Sequence, residues 1–237
     1  MPHAKLKLWD IDSDALTAEM FEARLQSSEV LERDAHGVKV VRLVNGNILK
    51  IFRVKSIFSI ARIYSYARKF CRNSRKLKAL NIPTITIVKL FHLIGTNKSA
   101  VQYQPLEGLT LRQVAQNQQF NDQVIEKLGH FVATLHAKGI YFRSLHMGNI
   151  VLTPSGEFGL IDIADLRVHR HSLNYHKCLR NFKHFFRVKN DIQSIDKNDW
   201  NVFVNAYIDH SQLVDWTKAR MRKFLTSNEV TRYFKAD

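Results

Sequence analysis

The sequence predicts an α+β chain with its strands first and its helices second. Three observations carry that expectation. Short alternating apolar runs crowd the first hundred residues and are divided by turn residues such as Asn45-Gly46. After Glu107-Gly108 the apolar residues recur every three or four positions instead, as on helix faces. Strand-rich then helix-rich order segregates the two kinds of element, which is the mark of an α+β chain. The expected organisation is bilobal: a small antiparallel β-sheet lobe over residues 1–104 and a mainly helical lobe over 105–237.

The elements follow in order. Residues 30–34 and 38–43 read as two strands turning at Ala35-His36-Gly37. The Asn45-Gly46 turn supplies the positive φ angles of a tight hairpin and leads into a third strand, NILKIFRV, which carries Lys50. Residues 56–80 read as helical, with Ile57, Ile60, Ala61, Ile63, Tyr64, Ala67 and Phe70 at helical spacing. ITIVKLFHLIG and SAVQYQPL supply two further strands about Gly95-Thr96-Asn97, for a lobe of five strands and one helical segment. In the second half LTLRQVAQ is a short helix, and Asp122 to Lys138 is a longer one stopped by Gly139 as a C-cap. NIVLT and GLIDI flank a short hairpin at Pro154-Ser155-Gly156-Glu157. DWNVFVNAYI and VDWTKARMRKFL read as amphipathic helices.

The net charge of +15 is unevenly placed. No acidic residue lies between Asp34 and Glu107, a span holding Lys50, Arg53, Arg68, Lys69, Arg72, Arg75, Lys76 and Lys78 among others. A second acid-free span, Asp165 to Asp191, holds Arg167, Arg170, Lys177, Arg180, Lys183, Arg187 and Lys189 with four histidines. Such fields favour an anionic partner: a phosphorylated glycolipid, an anionic membrane face or nucleic acid. The plainer alternative is a solvated basic surface. The first residues lack the apolar core of a secretory signal, no run of about 18 apolar residues exists, and Cys71 and Cys178 suggest no disulfide framework. The expected location is therefore the cytoplasm, with peripheral contact at the inner-membrane face as an extension of the charge argument.

The stretch YFRSLHMGNIVLTPSGEFGLIDIADLRV, residues 141–168, is the most specific in the chain. Its SLHMGNIVL resembles the DLHPGNIL of compact bacterial kinase-fold proteins, and its LIDIADL resembles their LIDFGDA. From about residue 30 to 210 the order of elements is similar to the protein-kinase-like fold. The branch it most resembles holds lipopolysaccharide core kinases, aminoglycoside-type phosphotransferases and toluene-tolerance-type proteins of the Pseudomonas kind. The resemblance implies ATP and Mg²⁺, with Asp162 and Asn149 as oxygen ligands of the metal and Lys50 contacting the nucleotide phosphates. Tyr103, Gln104 and Pro105 would form the hinge beside adenine, and ATP would sit between the lobes. The acceptor would be a hydroxyl of an anionic sugar or lipopolysaccharide-core glycolipid.

Three departures accompany it. Ser144 stands where the family carries its catalytic aspartate, five residues before Asn149, and a serine hydroxyl is no base near neutral pH. His146 is near enough to serve as a replacement base, although a histidine there also suits a structural role. The acid-free span leaves Lys50 without the helix glutamate of related enzymes, Asn73 standing in its place. No GxGxxG precedes Lys50, and Phe142 replaces a histidine two residues before the aspartate position. A pseudokinase, a nucleotide sensor or scaffold in envelope biogenesis, is the alternative these changes raise. Weaker constellations are a zinc set from His169, His171, His176 and Cys178, an RNA face around Phe182, Phe185 and Phe186, and an interfacial helix over 56–70.

Overall fold

The computed structural model describes residues 13–35, 37–53, 66–231 and 234. The chain separates into two compact units, one of residues 1–75 and 84–105, the other of 76–83 and 106–237.

The first unit is built on β1 (Ser13–Leu16), α1 (Ala18–Gln26), β2 (Glu29–Asp34), β3 (Gly37–Arg42), β4 (Ile48–Arg53), the start of α2 (Tyr66–Ala79), β5 (Thr86–Leu93) and β6 (Lys98–Gln104). Its sheet has six strands in the order β1-β5-β6-β4-β3-β2, not the five expected. The sixth, β1, lies parallel to β5, with Ser13 opposite Leu90 and Leu16 opposite Leu93, so the sheet is antiparallel except at this edge. Only Leu16 of its four residues is buried, which leaves the sequence no alternating pattern to betray a strand. The opposite edge, β2, is exposed throughout and carries Glu29, Glu32, Arg33 and Asp34, charges that discourage edge-to-edge pairing. Leu16, Phe21, Val41, Leu49, Ile51, Phe91, Leu93 and Ala100 form one apolar core, with α1 contributing Phe21. Helix α2 begins at Tyr66, and residues 56–65 of the expected helix lie outside the described residues. It buries Ala67, Phe70, Cys71, Ser74 and Leu77 at helical spacing, and the Ser74 hydroxyl donates to the Ile85 carbonyl.

The second unit takes residues 76–83 from the first half of the chain. Hydrogen bonds to the carbonyls of this segment fit the assignment: Leu160 N–H donates to the Pro83 carbonyl and the Lys138 side chain donates to the Leu80 carbonyl. Its elements are β7 (Leu109–Thr110), α3 (Leu111–Gln116), α4 (Asp122–Ala137), β8 (Ile140–Phe142), β9 (Ile150–Leu152), β10 (Phe158–Leu160), β11 (Leu166–Val168), α5 (Tyr175–Phe185), α6 (Lys189–Ile192), α7 (Lys197–His210), α8 (Asp215–Leu225) and α9 (Asn228–Thr231). The expected helix at 109–116 therefore opens with two strand residues, and Thr110 closes α3 in a capping box with Gln113. Helices α4 and α7 pack along their length. The core continues into a ring stack in which Trp200 and Phe203 lie 4.7 Å apart and Phe182 meets Tyr207 edge-on at 4.8 Å. Phe182, Phe185 and Trp200 are buried, so core packing accounts for these aromatics. No helix among the described residues is long and apolar enough to cross a membrane.

Candidate functional site

Two short antiparallel pairings shape residues 140–168. Strand β9 pairs with β10, Ile150 facing Leu160, and β11 pairs with β8, Leu166 facing Phe142. Ser144 follows the end of β8 and Asp165 precedes the start of β11, so the register brings them to the same open end. The Ser144 hydroxyl donates to Asp165 Oδ2 at 2.8 Å. The other Asp165 oxygen, Oδ1, is buried and accepts no hydrogen bond from any described residue. Buried carboxylate oxygens are nearly always satisfied, so this one asks for an explanation.

Asn149 closes a tight turn, Met147–Asn149, whose backbone bond runs from Asn149 N–H to the His146 carbonyl. It is buried at 8% exposure. Its amide nitrogen donates to the Ser144 carbonyl at 2.9 Å and to His146 Nε2 at 3.1 Å. A carbonyl accepts only, which fixes the amide orientation and turns Oδ1 away as the oxygen left for a ligand. Because Asn149 donates to it, Nε2 of His146 carries no proton and its lone pair is spoken for. The replacement base considered from the sequence thus holds Asn149 in position instead.

The proton of neutral His146 then sits on Nδ1, which makes no hydrogen bond but lies 3.9 Å from Asp191 Oδ2. Burial lowers the pKa of this ring; Asp191 pulls it up and Arg112 pushes it down. Asp191, with a side chain only 2% exposed, receives Arg112 Nε–H at 2.7 Å and an Arg112 terminal nitrogen at 3.1 Å, a two-pronged pair. Gly148 makes room for it: a Cβ there would lie 3.1 Å from the Arg112 guanidinium. A chain of contacts therefore runs from Arg112 through Asp191, His146 and Asn149 to Ser144. Arg112 and Asp191 are 79 positions apart, and no local pattern in the sequence signals the pairing.

Ile161 N–H donates to the Asn149 carbonyl at 3.0 Å, so the residue that follows, Asp162, is held next to Asn149. Its φ of 51° and ψ of 46° are left-handed, a conformation that costs a non-glycine residue about 1 kcal/mol or more and persists where the surroundings impose it. The side chain is exposed. Among the described residues no group of three or more His, Cys, Asp or Glu is placed to hold a metal ion. A carboxylate and an amide oxygen are hard oxygen donors of the kind magnesium takes, with waters and phosphate completing its shell.

Below this loop, a buried polar chain fixes β8. Asn181 Nδ2 donates to the Phe142 carbonyl at 2.7 Å, His136 Nε2–H donates to Asn181 Oδ1 at 3.2 Å, and the Tyr207 hydroxyl donates to His136 Nδ1 at 3.0 Å. Burial lowers the His136 pKa to about 4, against a smaller upward pull from Asn181. Phe142 is fully buried and anchors the strand. Helix α5 turns Cys178, Asn181, Phe182 and Phe185 inward and exposes His176, Lys177, Arg180 and Lys183. His184 accepts or donates with the Tyr141 hydroxyl at 3.1 Å and lies within the fields of Arg143, Arg187, Asp165 and Arg180.

Of the other expected residues, Lys50 belongs to the first unit. It lies on β4 opposite Val40 and Val101, is 8% exposed, and its ammonium is 5.7 Å from the Phe70 ring centre and 5.9 Å from that of Phe52. Asn73 is buried on α2. Tyr103 and Gln104 end β6, where the Tyr103 ring meets Phe70 at 5.4 Å, and Pro105 follows. No family model matches the chain, and no curated protein matches it.

Proposed function

We propose that the protein is an ATP-dependent phosphotransferase of the kinase-like fold, acting on a hydroxyl of an anionic sugar or lipopolysaccharide-core glycolipid. The observation that carries this reading is the oxygen pair of the second unit: Asn149 with its Oδ1 freed by two donated hydrogen bonds, and Asp162 held beside it in a left-handed conformation. Under this reading Asn149 and Asp162 would hold magnesium. That ion would neutralise charge building on the transferred phosphoryl group. His146, Asp191 and Arg112 keep Asn149 oriented. Within the first unit, taken by itself, Lys50 would offer phosphate a buried cation and residues 103–105 would face adenine. The exposed bases of α5, with Arg143 and Arg187, support an acceptor that carries negative charge. The same charge supports peripheral contact with an anionic membrane face; nucleic acid is the less favoured partner because nothing but charge supports it.

A second reading, a nucleotide sensor or scaffold, rests on Ser144, whose hydroxyl is no base by itself. Transfer of labelled γ-phosphate from ATP to purified lipopolysaccharide core separates the two. The phosphotransferase reading expects labelled core that disappears with Asp162→Ala. Nucleotide binding without label transfer to any core preparation supports the sensor.

A further inference from the structure

The aspartate missing from position 144 has a counterpart in space. Ser144 donates its only proton to Asp165 Oδ2 at 2.8 Å, and this leaves the Ser144 oxygen lone pairs open to receive another. Asp165 is brought there by the β8–β11 register, from a place in the sequence 21 residues away. Its Oδ1, buried and without a donor, shows a carboxylate that has not been fully satisfied by the fold. The large majority of buried side-chain polar atoms have at least one hydrogen-bond partner.

We propose that Ser144 and Asp165 form a proton relay at the phosphoryl-transfer centre, an assignment that rests on the phosphotransferase reading. The acceptor's hydroxyl oxygen forms the new bond to the γ-phosphorus while the bond to the β,γ-bridging oxygen breaks and its electron pair leaves with ADP. The hydroxyl's proton passes to Ser144 Oγ, and the proton Ser144 already carried passes to Asp165 Oδ2, then to solvent. Ser144 touches the acceptor; Asp165 acts through it as a positioning residue and hands the proton on to solvent. The pair does the work of one aspartate at position 144, with the carboxylate one hydrogen bond further out.

The experiment measures MgATP binding by calorimetry and ADP release from MgATP with water as the acceptor. It uses the full chain, as wild type, Asp165→Asn, Ser144→Ala, the Ser144→Ala/Asp165→Asn double variant and Ser144→Asp/Asp165→Asn. The relay predicts binding within about twofold of wild type throughout, and ADP release reduced by about 10²-fold or more in either single variant. The Ser144→Ala/Asp165→Asn double should be no slower than its singles. Ser144→Asp/Asp165→Asn should recover most of the lost rate, because it returns a carboxylate to the loop itself; a merely structural role for Asp165 gives no such recovery. Should Asp165→Asn fail to fold, Ser144→Ala carries the same comparison. The relay is overturned if either single variant releases ADP within about threefold of wild type, if the restored carboxylate recovers nothing, or if wild type binds MgATP without releasing ADP. Absence of MgATP binding in wild type would instead remove the phosphotransferase reading on which the relay stands.

Discussion

Replacing Arg112 with Met leaves one of the most buried carboxylates in the second unit without its partner. Asp191 is 2% exposed and takes two hydrogen bonds from Arg112, at 2.7 and 3.1 Å. Removing one member of a buried pair costs about 3–5 kcal/mol, because the other charge stays desolvated. Arg112 is itself 45% exposed, so solvent already screens part of the attraction and the figure falls to about 2–3 kcal/mol. Urea unfolding followed by circular dichroism reads that loss directly. Arg112→Met/Asp191→Asn, which removes the charge along with its partner, should recover all but about 1 kcal/mol of it. A second readout follows from His146. Arg112 pushes the pKa of that ring down while Asp191 pulls it up, so Arg112→Met should move its NMR titration to higher pH. A cost below about 0.5 kcal/mol, or a double variant as unstable as Arg112→Met alone, would refute the view that Arg112 is what makes a buried Asp191 tolerable.

Two further outcomes follow from the supports of the loop. His136 titrates near 4 when folded against an ordinary 6.5, so between those values the unfolded chain binds the extra proton and stability falls as pH drops. At about 1.4 kcal/mol per pH unit the window amounts to about 3 kcal/mol, and His136→Gln should flatten the fall in urea midpoint between pH 6.5 and 4.5. Gly139 has a φ of 72°, and a Cβ there would lie 2.5 Å from the His171 carbonyl oxygen and 2.7 Å from that of His169. Gly139→Ala should cost about 2–3 kcal/mol in the same unfolding assay, because backbone and not a flexible side chain blocks the methyl group.

The parts of the fold that were legible in the sequence are those whose information is local. Asn45-Gly46, the apolar stripe of α4 and its Gly139 stop, and the hairpin at 154–157 each declare themselves within a few residues. β1 does not, because a strand with one buried residue carries no alternation and its place is decided by its parallel partner β5. The site divides in the same way. Ser144, His146, Asn149 and Asp162 lie within one short stretch and were singled out through its resemblance to kinase-fold motifs. Asp165 was visible as a nearby carboxylate, but its bond to Ser144 depends on the β8–β11 register. The Arg112–Asp191 pair and the Tyr207–His136–Asn181 chain join residues far apart in sequence, and only packing brings them together.

The central claim, that Asn149 and Asp162 form a magnesium–nucleotide site, is tested most directly by calorimetric titration with ATP, with and without magnesium, on wild type and Asp162→Asn. The account predicts binding that requires magnesium and weakens at least tenfold when the Asp162 carboxylate becomes an amide. Binding of equal strength without magnesium, or unchanged in Asp162→Asn, would contradict it.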